Sequence, residues 1–356
     1  MSTPFFTTTL LHWHTTIERA MPWKNTRNPY KIWLSEVILQ QTRVAQGLPY
    51  YEKFIKKYAS IHDLANAPLD DVLKLWEGLG YYSRARNMHA TAKYVAVELG
   101  GTFPNSYDGL LQLKGIGAYT AAAIASFAFQ LPHAVVDGNV LRVLSRFFAV
   151  REPIDIASTH TLITLLANQL LGASPPDLFN QAIMDFGSLV CTPALPKNDC
   201  QHCVLRAECK SVQLNIQHQL PFKSKKTKVT ELYFRYYIIK YKNKYHVQQR
   251  NETGIWQGLY EFYLIELTNK RQLHKEEKTA LLRLLTLLET TAGEVSIATI
   301  KTDIIHKLSH RTIHASVVLI DCKTMPSSEL FTFKTKQEIQ KLSFPRMLTD
   351  LVAALS

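Results

Sequence analysis

Residues 110–129 read LLQLKGIGAYTAAAIASFAF, and this stretch decides the fold. An apolar helix end (Leu110, Leu111, Leu113) meets Gly115-Ile116-Gly117, and a second helix of small residues follows. Gly115 and Gly117 permit a tight turn with positive φ. Ile116 is placed to plug the core between the two helices. The turn offers backbone N–H groups at a helix N-terminus, an arrangement suited to a phosphate. The pattern fits a helical hairpin that grips a nucleic-acid backbone, although any tight helical hairpin can use two glycines.

Charge points the same way. The chain has 356 residues, 41 Lys and Arg against 29 Asp and Glu, and a net charge of +12. Such an excess attracts a polyanion, and nucleic acid is the first candidate. The length suggests two domains, and a hydrophobic content of 46% suits a globular core. The N-terminus MSTPFFTTTLLHWHTTIERAMPW lacks the basic start of a signal peptide, and no apolar run is long enough for a membrane span. The expected compartment is cytoplasm or nucleus (cytoplasmic and nucleoid-associated if bacterial), with no membrane contact and with thiols kept reduced.

Four of the five cysteines fall in CTPALPKNDCQHCVLRAEC: Cys191, Cys200, Cys203 and Cys209, with gaps of eight, two and five residues. Clustered thiols in a reducing compartment read as metal ligands. Zinc and an iron–sulfur cluster both accept four thiolates. Only Cys200 and Cys203 form a close pair, so the loop wraps one object rather than pairing like a zinc ribbon. Lys197, Arg206 and Lys210 make the same loop basic. Cys322 stands apart and reads as a small core residue.

Residues 30–220 read mostly as helices. WLSEVILQQ, DVLKLWEGLGYY, ATAKYVAVEL, LITLLANQLL and LFNQAIMDFGSLV carry apolar residues at helical spacing. Asp70 and Asp71 can cap one helix, and Ser158 or Thr159 another; Gly100-Gly101 ends a third. KSKKTK (223–228) reads as a solvated linker. Beyond it ELYFRYYIIKY, YHVQQR, GLYEFYLIEL and IHASVVLIDC read as strands, and EEKTALLRLLTLLETTA as an amphipathic helix. The expected organisation is an all-α domain over 1–221, a basic linker over 222–229 and an α+β domain over 230–356. Within the first domain, VVDGNVLR (135–142) puts Asp137 before a helix, where it can cap that helix or serve as a fixed carboxylate. Glu36 lies at the edge of the apolar side of its helix, beside Trp33, Val37 and Ile38.

The hairpin, the VDGNV aspartate and the four-cysteine loop occur in one order. That order resembles the helix–hairpin–helix DNA glycosylases of the endonuclease III superfamily, and within it the MutY adenine glycosylases. WLSEVILQQTRV, WEGLGYYSRARN, VDGNVLRVLSR and FNQAIMDFGSLVCTP resemble MutY motifs, over about residues 20–215. The C-terminal part resembles a Nudix-like (MutT-like) recognition domain, chiefly through LSHRTIHASVV. EEKTALLRLLTLLE lacks the carboxylate pattern that an active Nudix hydrolase needs for magnesium.

The resemblance implies a six-helix barrel packed on a second helical lobe, with a DNA cleft between, and a 4Fe–4S cluster on Cys191, Cys200, Cys203 and Cys209. The first cysteine gap departs from the family's six residues, and PALPKND is expected to bulge outward. Glu36 is implied as the acid that protonates adenine N7. Asp137 is implied as the lasting anion beside an oxocarbenium-like sugar, oriented by Asn139. Tyr119 stands where lyase-active relatives carry a Schiff-base lysine, so the enzyme should leave the strand unbroken. Gln41 and Tyr81 are implied as wedges into the base stack. Trp23, Lys24 and Gln181 match positions around the adenine pocket, and Gly115 and Gly117 are implied as the turn that holds the DNA backbone. Leu308, Ser309 and His310 are implied as the loop that reads the opposite base, with Leu where the family has Phe. The implied partner is double-stranded DNA with an adenine opposite 8-oxoguanine or guanine, bound by a monomer in base excision repair. A pyrimidine-lesion glycosylase with lyase activity is disfavoured by Tyr119. A non-catalytic DNA-binding scaffold is disfavoured by having both Glu36 and Asp137.

Overall fold

The computed structural model describes residues 3–194, 199–224, 229–268, 277–326 and 329–355. Lys197, most of the expected bulge and part of the basic linker lie outside them. The chain forms two units. The first comprises Met1–Asn66 and Asn87–Lys226, and the second comprises Ala67–Arg86 and Thr227–Ser356.

The first unit is helical. Its helices are α1 (Thr3–Thr15), α2 (Pro29–Leu39), α3 (Val44–Lys57) and α4 (Ile61–Asn66). After α5 (Leu69–Trp76), which belongs to the second unit, come α6 (Ser83–Val97, in the first unit from Asn87 onward), α7 (Tyr107–Leu111), α8 (Ala118–Phe129), α9 (Gly138–Phe147), α10 (Ala157–Leu171), α11 (Pro176–Leu189) and the short α12 (Lys210–Gln213). One core gathers Phe6 and Leu10 of α1 with Val140, Val143 and Leu144 of α9, and with Ile163, Phe179 and Phe186 of α10 and α11. α2 packs on α8, and α7 precedes α8 as the arm of the hairpin.

Gly115 takes φ +79 in the hairpin turn, and a Cβ there would meet the Asn87 Cβ at 2.8 Å. Gly117 differs from the expectation. It is extended, at φ −94, and a Cβ there would meet nothing. Its service is as the residue that starts α8, where no side chain caps the helix. Ile116 is buried as the plug, and the Thr91 hydroxyl donates to the Lys114 carbonyl at 2.6 Å to tie down the turn.

The second unit is built on a mixed sheet. The strands are β1 (Thr230–Tyr241), β2 (Lys244–His246), β3 (Gln248–Gln249), β4 (Tyr260–Glu261), β5 (Tyr263–Leu267), β6 (Val295–Lys307), β7 (Arg311–Cys322) and β8 (Phe333–Thr335). β1 runs parallel to β7 along its full length and antiparallel to β2 and β5, while β6 pairs antiparallel to β7. Side chains alternate between two cores. Phe234, Tyr236 and Ile238 face one with Leu348 of α14 (Arg346–Ala353); Tyr237 and Ile239 face the other with Leu284 and Leu285 of α13 (Glu277–Leu287). Cys322 lies in that second core, as its isolation suggested.

α5 is part of this unit. Asp70 accepts from the Gln249 amide at 3.2 Å and the Tyr260 hydroxyl at 3.1 Å, Glu77 accepts from the Phe344 N–H at 2.9 Å, and Lys74 donates to the Leu342 carbonyl at 2.9 Å.

Candidate active site

α2 starts with Pro29 at its first position and Asn28 as its cap, whose side chain accepts from the Lys31 N–H at 3.2 Å. The helix buries Trp33, Leu34, Val37 and Ile38, and Glu36 with them at 7% exposure. Glu36 is therefore no surface glutamate. It faces a cleft of about 860 Å³ in the first unit, together with Trp23, Lys24, Tyr119, Asp137 and Gln181. That volume lies in the range of small-molecule sites. Asn139 lines the cleft too, and Trp23 packs edge-on against Tyr51, with ring centroids 5.1 Å apart.

Asp137 caps α9, and this cap is also a site wall. Its Oδ1 accepts from the Asn139 and Val140 N–H groups, both at 2.8 Å, and its Oδ2 accepts from the Asn139 amide at 2.6 Å. Burial pushes the Asp137 pKa up, while these three donors and Arg142 pull against it. Glu36 is raised to about 7, by burial first, against one hydrogen bond from the Tyr119 hydroxyl; the charge of Asp137 raises it further. Tyr119 sits well above an ordinary phenol through its own burial and the two carboxylates. Of the two acids, Asp137 is the better held as an anion, and Glu36 is poised to carry a proton near neutrality.

The four cysteines line a second, small cavity with Arg146, Phe147 and Phe186. Arg146 donates to the Cys191 Sγ at 3.4 Å, to the Thr192 carbonyl at 2.7 Å and to the Leu220 carbonyl at 2.9 Å. Burial, opposed by the Leu205 N–H and reinforced by the other three thiols, pushes Cys203 up to about 12. Among the described residues no three His, Cys, Asp or Glu side chains converge on one ion-sized point. Four thiols around one cavity are nonetheless a donor set that suits an iron–sulfur cluster. Arg142, one turn along α9 from Asp137, donates to the Cys191 carbonyl at 2.7 Å and to the Asn139 Oδ1 at 2.9 Å.

Residues 34–166 match the HhH-GPD superfamily of base excision DNA repair proteins, and residues 235–354 match the NUDIX domain family. An adenine DNA glycosylase of Buchnera aphidicola (subsp. Baizongia pistaciae) is 36% identical over 322 residues, covering 90% of this chain and 87% of its own. The chain belongs to the adenine DNA glycosylase family. The mouse adenine DNA glycosylase is 44% identical over 218 residues, 58% of this chain and 42% of that one. Among solved structures, a thermostable thymine-DNA glycosylase aligns at 30% identity with a TM-score of 0.55, over 60% of this chain and 97% of that one. An endonuclease III in a non-covalent DNA complex aligns at 23% identity with a TM-score of 0.51, over 61% of this chain and 99% of that one, and shares the fold.

The remaining residues implied by the likeness to adenine DNA glycosylases lie outside the cleft. Gln41 follows α2 at φ +54, exposed. In the second unit, Tyr81 has φ +50 and is 42% exposed. Left-handed φ is uncommon for such side chains and marks constrained, often functional, positions. Ser309 and His310 form the exposed tip of the β6–β7 hairpin, closed by the Leu308 N–H donating to the Arg311 carbonyl at 2.7 Å. Leu308 packs against the sheet core instead of projecting freely. The Ser309 and Tyr81 hydroxyls are hydrogen-bonded to each other.

One group in this adenine DNA glycosylase chain is not among the site residues expected from the sequence. Asp185 of α11, 1% exposed, also lines the cleft and binds His14, Arg19 and Lys24. The available signal was an aspartate inside the apolar run NQAIMDFGSL, which no buried helix face tolerates without cationic partners.

No helix among the described residues is long and apolar enough to cross a membrane.

Proposed function

We propose that the chain is a monofunctional adenine DNA glycosylase that removes adenine mispaired with 8-oxoguanine or guanine. The observation that carries this reading is the meeting of Glu36, Tyr119 and Asp137 in one cleft. Adenine leaves deoxyribose poorly as an anion and well as a neutral base. Glu36, protonated near neutrality, delivers the proton to N7 of an adenine flipped into the cleft, at a flipping cost of a few kcal/mol. Asp137 stays charged and faces the sugar as it gains oxocarbenium character, in the manner of paired carboxylates at glycosides. Tyr119 holds Glu36 by its hydroxyl. Glu36, once deprotonated, activates the water that completes the sugar.

DNA would lie on the hairpin turn and the uncapped start of α8, with Gln41 and Tyr81 entering the stack and Leu308, Ser309 and His310 at the base opposite adenine. The helical residues up to 221 would excise and residues 230–356 would read the partner base, by a single copy of the chain. Cys191, Cys200, Cys203 and Cys209 would hold a 4Fe–4S cluster, which supplies iron–thiolate bonds that staple the basic loop. The cysteine-loop reading predicts stoichiometric iron and sulfide in the purified protein, and Cys200→Ser should lower its melting temperature. Protein isolated free of iron with an unchanged melt would contradict it.

The test is a duplex with one adenine opposite 8-oxoguanine, incubated with the protein and split into samples with and without alkali. Adenine-strand cleavage only after alkali is expected. Cleavage without alkali, or no abasic sites at all, contradicts the reading.

Tyr119→Lys places an amine where the phenol lies. It should add slow strand nicking, and borohydride should trap a protein–DNA adduct. Absence of any trapped adduct while base release persists would show that position 119 does not reach the sugar.

A further inference from the structure

Asp185 lies on the last turns of α11 with its carboxylate closed off from solvent, at 1% exposure. Its Oδ1 accepts from the Arg19 guanidinium at 2.6 Å, and its Oδ2 accepts from the Lys24 ammonium at 2.8 Å and from the Gln181 Nε2 at 3.1 Å. The His14 Nε2 is also 3.2 Å from Oδ2, and the Ser188 hydroxyl shares Arg19 with it at 3.0 Å. Between α1 and α2, Arg19, Met21 and residues 23–27 line one wall of the cleft, and Asp185 ties that wall to α11 through Arg19 and Lys24. Although burial disfavours its charge, His14, Lys24 and Arg19 hold this carboxyl well below the ordinary range. Asp185 therefore stays an acceptor at any working pH.

An ionised carboxylate can only accept hydrogen bonds, so the amide of Gln181 must present its NH2 to it. The carbonyl of Gln181 is then the part left for a ligand. We propose that Asp185 is a positioning and specificity-determining residue: it fixes Gln181 so that Oε1 accepts from the 6-amino group of a flipped purine, and it tethers Arg19 and Lys24 on the same wall as donors for ring nitrogens. Adenine offers a 6-amino donor, whereas hypoxanthine offers a 6-oxo acceptor that meets Oε1 oxygen to oxygen. A site built to accept a specific donor rejects the analogue lacking it far more strongly than an apolar pocket does. The assignment rests on the glycosylase reading and deepens it.

The test compares single-turnover release of adenine and of hypoxanthine, each opposite guanine in the same duplex, with duplex affinity measured in parallel. Asp185→Asn introduces an amide that can donate, so the Gln181 amide is free to turn over. The adenine-to-hypoxanthine rate ratio should fall about tenfold or more, with duplex affinity nearly unchanged. Gln181→Met leaves the ion pairs in place and should lower the same ratio. The double variant should lose no more than Gln181→Met alone, because both substitutions act through one amide. If Asp185→Asn does not fold, Gln181→Met alone decides, and an unchanged ratio overturns the proposal. So does an Asp185→Asn enzyme that slows both bases equally. Wild-type adenine release is the internal reference. Its absence would refute the glycosylase reading, whereas normal wild-type release with an unchanged ratio in the variants would refute the role of Asp185.

Discussion

Glu36→Gln should release adenine about a thousandfold more slowly than the native protein, in the range general acids contribute, and should bind the mispaired duplex about as well. Gln keeps the size of Glu36 and can still pair with Tyr119, but it has no proton of suitable acidity to give. The native protein should lose activity as pH rises through about 7, where Glu36 ionises. The same substitution should stabilise the fold. Between its unfolded value near 4.5 and about 7, Glu36 binds more protons folded than unfolded, so its burial costs stability increasingly as pH rises through that window. Above pH 7 the full cost, about 3 kcal/mol by linkage, is removed by Gln. Melts at pH 8 should therefore favour Glu36→Gln by several degrees, and melts at pH 4 should not. Substantial turnover in the variant, or a lower melting temperature at pH 8, would remove Glu36 from the acid role.

Asp137→Asn should have an effect of similar size for a different reason. A carboxylate about 4 Å from a cationic sugar contributes on the order of 4 kcal/mol at an effective dielectric of about 20, or roughly a thousandfold in rate. Asn caps helices about as well as Asp, so α9 keeps its start and the melting temperature should change little. The informative pairing is a large rate loss with an intact fold. A comparable loss of stability would make Asp137 only a cap.

The sequence made the hairpin, the cap at Asp137 and the strands around β1 and β7 legible because each rests on local chemistry. Glycines mark a turn, an aspartate before a helix marks its start, and aromatic and β-branched runs mark buried strands. Long-range packing hid the rest. α1 is rich in Thr, a poor helix former, and is stabilised by Phe6 and Leu10 entering a core made by α9, α10 and α11. β6 is not legible in the sequence because two register shifts, between Thr299 and Lys301 and between Lys301 and Ile304, break its alternation. Asp70 and Asp71 read as caps, yet Pro68 precedes α5 and Asp70 is spent on Gln249 and Tyr260, 179 and 190 residues away. α10 likewise starts after Ile156 without a side-chain cap from Ser158 or Thr159. In the cleft, the helical wheel put Glu36 at a boundary, since nothing in α2 itself reveals that α8 and Asp137 enclose it. Asp185 was hidden for the same reason, because its partners come from a segment some 160 residues earlier.

The most direct measurement is a crystal structure of the protein on a duplex whose adenosine carries a 2′-fluorine, which disfavours the sugar cation and stops release, opposite 8-oxoguanine. The extruded adenine should present N7 to the Glu36 carboxyl at about 3 Å, while the Asp137 carboxylate lies about 4 Å from the anomeric carbon. An adenine seated in the cleft with N7 turned from Glu36, or a sugar that Asp137 does not approach, would contradict the account.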